Sequence, residues 1–537
     1  MITIVKDGKT DFQIIYSTNS VDLIGAIREF SIDLEEKTGV AIPVYSETDK
    51  RPEKASEILF GRVLSRPASA AQYDSLAYTE SRVDLVNGKL CVASYSRDQL
   101  KNLLSFIREH VVRVADGEWG IDAGYSYRKI ESAIAPKLTR PEIDVAKLQG
   151  IYDCGMDDFE ASYEKVTDEE YAAYLALLEE SGYDLYDQNN IAGNLFHTFV
   201  KDDLQVNLCR YPSKKLLKII FGVRDYLPAL EPGSYEKLAT PSVTQLGREG
   251  ADESSPNGAP GMGYVVQLSD GRYVIVDGGP TNENDVNRLY QFLVDHKPAS
   301  HAKPVIAMWA ITHAHGDHTG VFTSFASKYR KDVRIEIFGF QFPNFDKVAI
   351  THENAAGMAS EVSTCYTIAR AYYKNAGIFK FHTGQRLVLA DAVFDFIYTH
   401  EDFYPAVIPW GNHTSSVFRM TLGEKGDGNR WTTLFTGDAE TSLCDFMVDV
   451  YGTWLKCDIL QLNHHGYNGA TLPFYKLIDP DICLWASDEW RFLNDKRCLG
   501  TQSGYEFNKW LRDDSVKKRA HYHSSADTTI LLTPGNQ

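Results

Sequence analysis

Residues 303–312, KPVIAMWAIT, form a continuous apolar run that passes without a turn residue into HAHGDHTG. A run of this kind suits a strand covered on both faces, which demands a layered α/β core around it. Its far end must nevertheless stay polar, because His313, His315, Asp317 and His318 follow within six residues. A loop held by a rigid buried strand can fold several side chains around one point while remaining open to solvent. Of the chain's 15 histidines, 13 lie after residue 295, so the other partners of this cluster belong to the C-terminal half.

The residue types point to metal. His313 and His315 can hold one ion, while Asp317 and His318, further along the loop, can point at a second. Neutral imidazole and carboxylate suit zinc, and sites of this kind also accept manganese or iron. The eight cysteines are scattered without a CxxC pair, which fits reduced, buried thiols rather than a disulfide frame or a zinc ribbon.

At 537 residues the chain exceeds one ordinary core and should hold two to four domains. Residues 1–135 read as a mixed α/β domain. FQIIYST alternates as a strand, NSVDLIGAIREFSIDLEEKTG as a helix stopped at Gly39, and SRVDLVNGKLCVAS as a hairpin turning at Asn87–Gly88. The polar connector RKIESAIAPKLTRPEIDVAKLQG leads into a second small α+β domain, residues 136–238. There Thr167 caps the helix TDEEYAAYLALLEESG, and three strand candidates follow. The third domain, residues 239–537, has near its start the Gly/Pro/Ser-rich stretch GREGADESSPNGAPGMG, a long loop or the entry to the domain, and contains the histidine cluster.

HAHGDH matches the HxHxDH motif of the metallo-β-lactamase superfamily, and the C-terminal domain resembles that family. The resemblance implies an αββα sandwich of two mixed sheets with helices outside. It also implies that one further histidine completes the first site, that an aspartate at a strand end bridges both ions, and that a last histidine completes the second site. GNHTSSVFRMTL offers His413, RWTTLFTGD offers Asp438, and CDILQLNHHG offers His464, with His465 left to face substrate or solvent. Asp277, at the end of YVIVDGG, matches the family's first acidic motif and is expected to orient a ligand from behind rather than bind metal. The closest likeness is to the metal-dependent hydrolase domain of competence-type DNA-uptake proteins, although His413 stands where that branch has asparagine. The element order of residues 1–135 resembles the small N-terminal domain of several glycoside hydrolase families.

The function implied is a dinuclear metal-dependent hydrolase acting through a metal-bridging hydroxide, with Asp438 bridging the ions and Asp317 binding one of them and orienting the nucleophile. A phosphoester or phosphodiester is the first substrate class. Hydrolysis of a carboxylic ester, lactone or amide is the alternative enzyme reading, and a non-catalytic metal-binding scaffold the alternative outside enzymes. Redox use is disfavoured, since the di-iron branch of the fold has glutamate where this chain has His315.

Asn468, beside Tyr467 in HHGYNGAT, is a candidate substrate contact together with His465. His352 and Glu353 are candidates for a loop over the site, and His521 and His523 alternate as one face of a strand. A net charge of -18 favours a small or short anionic substrate over long nucleic acid. The longest apolar runs fall short of the ~18 residues that span a bilayer. With no signal-peptide pattern at the start, the protein is expected to be cytoplasmic.

Overall fold

The computed structural model describes residues 2–17, 24–95, 97–122, 125–224, 226–248, 261–345, 355–500, 507–513 and 517–535. His352, Glu353 and most of the Gly/Pro/Ser-rich stretch lie outside them. The chain divides into two compact units, Met1–Tyr152 and Asp153–Gln537.

The first unit is built on a sheet ordered Val44–Ser46, Gln13–Tyr16, Glu57–Phe60, Lys89–Ser94, Glu80–Val86, Ser126–Ile130. Its first four strands run parallel and its last two antiparallel. The helix Ile24–Thr38 buries Ile27, Phe30 and Leu34, a spacing that keeps one stripe against the core. Asn87 and Gly88 take positive φ values of 51° and 84°, which the hairpin between Glu80–Val86 and Lys89–Ser94 requires.

Among the described residues, the second unit has three sheets. Two of them face each other. One is ordered Gly377–Phe379, Ile337–Gly339, Val305–Ala310, Tyr273–Asp277, Gly263–Gln267, Ser242–Gln245, Thr528–Leu531. The other is ordered Arg386–Leu389, Ala392–Tyr398, Val417–Leu422, Trp431–Phe435, Ile459–Gln461, Ile482–Trp485, Ala520–His523. Their facing side chains, among them Val274, Met308, Phe394, Phe418, Phe435 and Leu484, make one buried core. The outer face of the first sheet is covered by the helices Glu283–His296, Gly316–Lys328 and Ala355–Tyr372. That of the second is covered by Thr441–Tyr451 and Leu472–Ile478. The result is a four-layer αββα sandwich with a mixed α/β composition. Val305–Ala310 is central and covered on both sides, as its apolar run requires, whereas VRIEIFGFQF breaks into two short strands, Arg334–Ile335 and Ile337–Gly339.

The third sheet is antiparallel and contains, in order, Asp158–Tyr163, Leu216–Val223, Leu204–Tyr211, Asn194–Lys201 and Asp184–Ile191. Asp184–Ile191, DLYDQNNI, has no apolar alternation to announce it. It pairs along Asn194–Lys201 instead, with Asn189 donating to Gly384 O and Asp395. Residues 153–223 share their unit with the sandwich because both sides of the contact are buried and polar-matched. Lys218 Nζ donates to Glu160 at 2.8 Å, Glu401 O at 2.7 Å and Tyr404 O at 2.8 Å, and Lys380 Nζ donates to Asp158 at 2.7 Å. Tyr211 OH donates to Asp402 at 2.6 Å. All eight cysteines are buried and free. Among the described residues, no helix is long and apolar enough to cross a membrane.

Candidate metal centre

Four strand ends converge on the histidine loop. Tyr273–Asp277 and Val305–Ala310 are parallel neighbours, so Asp277 and the segment after Ala310 emerge at the same edge of one sheet. Trp431–Phe435 and Ile459–Gln461, also parallel neighbours, bring Asp438 and His464–His465 to the matching edge of the other.

Each turn is fixed by buried polar side chains. Asp277 has φ 55°, a left-handed conformation that costs energy for an aspartate and is held by its partners. Its carboxylate accepts from Thr312 N at 2.8 Å, Thr312 Oγ1 at 2.9 Å and His318 Nδ1 at 2.8 Å. Gln461 clamps the turn before Asp438. It accepts from Thr436 N at 2.6 Å and Gly437 N at 2.8 Å, and donates to Gly437 O at 3.0 Å and Leu462 O at 2.6 Å. Gly437 has φ 53°, and a Cβ there would meet Thr312 Cβ and Oγ1 at 2.9 Å, so the turn accepts only glycine. Asp438 N donates to Ser415 Oγ at 3.1 Å. His464 and His465 both have positive φ, 48° and 58°, which swings the two rings to the same side of the strand end.

The side chains so placed form two triads. One ligand atom each from His313, His315 and Asp438 lie within 4.8 Å of one another, and the same holds for Asp317, His318 and His465. His313 Nε2 is 2.9 Å from His315 Nδ1. His465 Nε2 is 3.2 Å from Asp317 Oδ2 and 3.3 Å from Asp438 Oδ2, and His318 Nε2 is 3.3 Å from Asp438 Oδ1. His313 Nε2 and His464 Nε2 each lie 3.9 Å from Asp438 Oδ2. The Asp438 carboxylate therefore sits between four imidazoles.

His413 and His464 belong to neither triad among the described residues. His413 lies in the buried turn Gly411–Thr414, its ring edge-on to Phe403 at 5.1 Å. Asn412, next to it, reaches both His464 Nε2 at 3.4 Å and Glu440 at 3.0 Å. Asn468 is half-buried in the loop before Leu472–Ile478. His521 Nδ1 accepts from Trp485 Nε1 at 3.0 Å, and His523 Nε2 is 3.8 Å from Glu489, so both stand on Ala520–His523 in local contacts. Thr312, Asn412, Ser415 and Gln461 are the residues that sequence reasoning passed over. Only Gln461 carried a signal, as an amide closing the otherwise apolar run ILQ.

The donor set fits divalent metal. Atoms around a tetrahedral zinc at ordinary bond lengths lie about 3.3–3.6 Å apart, which matches the 3.3 Å from Asp438 to His318 and to His465. His318 Nε2, His465 Nε2 and Asp438 Oδ1 are buried and, despite their proximity, misaligned for hydrogen bonds with one another. Atoms that face a common centre rather than each other suit an ion. The electrostatics agree. Burial opposes charge on His318, yet Asp438 and Asp277 outweigh it and hold the imidazole well above its ordinary value. The same contest, won by Asp438 and Asp317, pushes His465 up to about 9. Burial would raise both carboxylates, but His465, 3.2 Å away, and His318 hold Asp317 low, and His465, His318 and His464 hold Asp438 well below its usual range. His313, buried and beside His318 and His315, goes well below its usual value. The pocket calls for positive charge that protons or cations can supply.

Residues 257–349 match the family model for the metallo-beta-lactamase superfamily. The sandwich that carries them has the metallo-β-lactamase fold. Among solved structures, the chain is similar to the metallo-beta-lactamase fold protein YhfI from Bacillus subtilis at 14% identity, covering 54% of this chain and 100% of that one with a TM-score of 0.32. It is similar to CmlA, a diiron β-hydroxylase from Streptomyces venezuelae, at 10% identity and a TM-score of 0.30, over 56% of this chain and 55% of that one. The chain thus spans about half the length of CmlA. A metallo-beta-lactamase from Cronobacter sakazakii with a HARLDQ motif is similar at 14% identity, over 38% of this chain and 74% of that one, with a TM-score of 0.21. No curated protein matches.

Proposed function

We propose that the protein is a dinuclear metal-dependent hydrolase whose first substrates are phosphoesters or phosphodiesters. The observation that carries the reading is the Asp438 carboxylate, set 3.3–3.9 Å from His313, His318, His464 and His465 between two ligand triads. In this reading one ion would be held by His313, His315 and Asp438, with His413 on the adjacent turn as a further ligand, and the other by Asp317, His318 and His465, with Asp438 close to both groups. Divalent ions, zinc first and manganese or iron next, supply a water of lowered pKa and neutralise charge that develops on the substrate oxygen.

The chain's own groups do the rest. Asp277 fixes the His318 tautomer, since a carboxylate only accepts and Nδ1 must therefore carry the proton. Asp317, 3.2 Å from His465 Nε2 and kept ionised, would be the group positioned to accept a proton from the attacking water. His464, 22% exposed and steadied by Asn412, stands at the open side beside Asp438, where it and Asn468 can contact substrate. The phosphoester preference rests on the resemblance of HAHGDH, FTGD and NHHG to the competence-type branch, and the small anionic substrate on the net charge of -18.

Metal analysis and a chromogenic panel test the reading. Purified protein should carry about two ions per chain, lost together in the His315→Ala, Asp438→Ala double variant. A phosphodiester should then be cleaved faster than a phosphomonoester, lactone or β-lactam. Less than about half an equivalent after metal-supplemented purification overturns the dinuclear reading, and lactone cleavage without phosphoester cleavage moves the assignment to the carboxylic ester class. Equal rates for wild type and His313→Ala would favour a binding role.

A further inference from the structure

The parallel strands Trp431–Phe435 and Ile459–Gln461 pair Thr433 with Ile459 and Leu434 with Leu460, and there their register ends. Beyond it both chains turn toward the histidine loop while still buried, and a buried peptide group left unpaired is costly. Two side-chain amides, Gln461 and Asn463, each with 0% exposure, take over the pairing. Gln461 Oε1 accepts from Thr436 N at 2.6 Å and Gly437 N at 2.8 Å, and its Nε2 donates to Gly437 O at 3.0 Å and Leu462 O at 2.6 Å. Main-chain N–H groups only donate and carbonyls only accept, so the orientation of this amide is fixed. Two residues further on, Asn463 Nδ2 donates to Ala439 O at 3.1 Å. Gly469 permits that approach: a Cβ built there would lie 2.5 Å from Asn463 Cβ and 2.7 Å from Ala439 O.

Asp438 therefore stands between Gly437 and Ala439, each held by an amide from the segment that runs into His464 and His465. Gly437 O also accepts from His464 N at 3.1 Å, so one carbonyl joins the two turns. The Asp438 carboxylate has little else to place it. Asp277 accepts three hydrogen bonds, whereas Asp438 Oδ1 has no aligned one among the described residues. Its distance of 3.3 Å from His465 Nε2 is set through the main chain of the two turns, and the amide pair ties those turns together.

We propose that Gln461 and Asn463 are positioning residues that hold the Asp438 carboxylate and the His465 ring at ligand spacing before an ion arrives, so that binding needs no rearrangement of either turn. The proposal rests on the metal-binding part of the reading above and is independent of the bond that is cleaved.

Cobalt(II) is the probe, because its visible absorption depends on coordination geometry and its affinity can be read against a chromophoric chelator. Gln461→Met keeps the length of the side chain and removes its hydrogen bonds. Titrated as the chelator-treated full chain, this variant should bind cobalt about 10–100-fold more weakly than wild type, with the absorption band displaced. Asn463→Ala removes the bond to Ala439 O and should weaken binding about fivefold. It carries the test if the methionine variant folds poorly, and urea unfolding of the chelator-treated proteins shows which variants are folded under the titration conditions. A role confined to stability would lower the urea midpoint and leave cobalt affinity and spectrum as in wild type. That result in every variant that folds overturns the proposal and leaves the metal reading standing. Absence of cobalt binding to wild type overturns both.

Discussion

Asp277 holds His318 by Nδ1 at 2.8 Å and thereby turns the opposite ring nitrogen to Asp438 at 3.3 Å. The same carboxylate takes the Thr312 backbone and hydroxyl, so a single buried acid sets both the path of the histidine loop and one ring within it. Asp277→Asn replaces an acceptor with an amide that can equally donate, and the His318 tautomer is no longer imposed. Metal affinity is expected to fall about 10–100-fold in Asp277→Asn. Competition against a chromophoric chelator measures it, and an unchanged affinity would show that Asp277 only shapes the loop.

His465 and His464 are adjacent yet differently placed. His465 is buried and lies 3.2 Å from Asp317 and 3.3 Å from Asp438, whereas His464 lies 3.9 Å from Asp438, with its ring 22% exposed. Sequence position alone favours His464 as the ligand, because it comes first after the strand. The structure instead turns His465 inward, on a strand end where both residues have left-handed backbone. His465→Ala should lose about one ion per chain while His464→Ala keeps both ions and loses activity mainly through KM. Elemental analysis of the two purified variants decides the order, and retention of both ions in His465→Ala would restore His464 to the ligand role.

The elements that were legible are those whose pattern is local. Val305–Ala310 shows in an uninterrupted apolar run, Asp168–Glu180 in its Thr167–Glu170 capping box, and the Glu80–Val86 hairpin in Asn87–Gly88. HAHGDH likewise puts four polar groups on one loop with no help from the rest of the chain. What stayed hidden depends on partners distant in sequence. Asp184–Ile191 is a strand because Asn194–Lys201 pairs with it, and Gln461 is a clamp because Gly437 turns beneath it.

Lys218 is buried with Glu160 and also donates to two main-chain oxygens, Glu401 O and Tyr404 O. Removing one partner of such a pair leaves a charge in the interior, and Lys218→Met should destabilise the second unit by about 3–5 kcal/mol. The companion change Glu160→Gln removes the stranded acid, so the double variant should recover part of that loss. Urea unfolding of the single and double variants measures the coupling. Additive losses would mean that Lys218 acts through the carbonyls alone.

His400 is buried in the same region, and burial pulls it down to about 4, only partly offset by Glu401. An unfolded chain takes up a proton near the ordinary histidine value, so between about pH 6.5 and 4 the unfolded state binds a proton that the folded state refuses. The stability linked to His400 is therefore complete above that window and falls as pH drops through it, by up to about 3 kcal/mol. Below it the fall continues, because Glu401, which burial would raise, is held by His382 at about 2 and loses its share as the carboxyl protonates. His521, also lowered to about 4 by burial, adds a slope of the same sign. His318 and His465, whose values are raised, add the opposite one. His521, His318 and His465 act equally in wild type and in His400→Asn, and Glu401, which faces His400, protonates mainly below the range measured, so above about pH 4.5 the difference between the two proteins isolates His400. Urea midpoints of chelator-treated protein from pH 7 to pH 4.5 should converge as pH falls, with the wild type losing more stability than the variant. Parallel lines would mean that His400 is not held neutral.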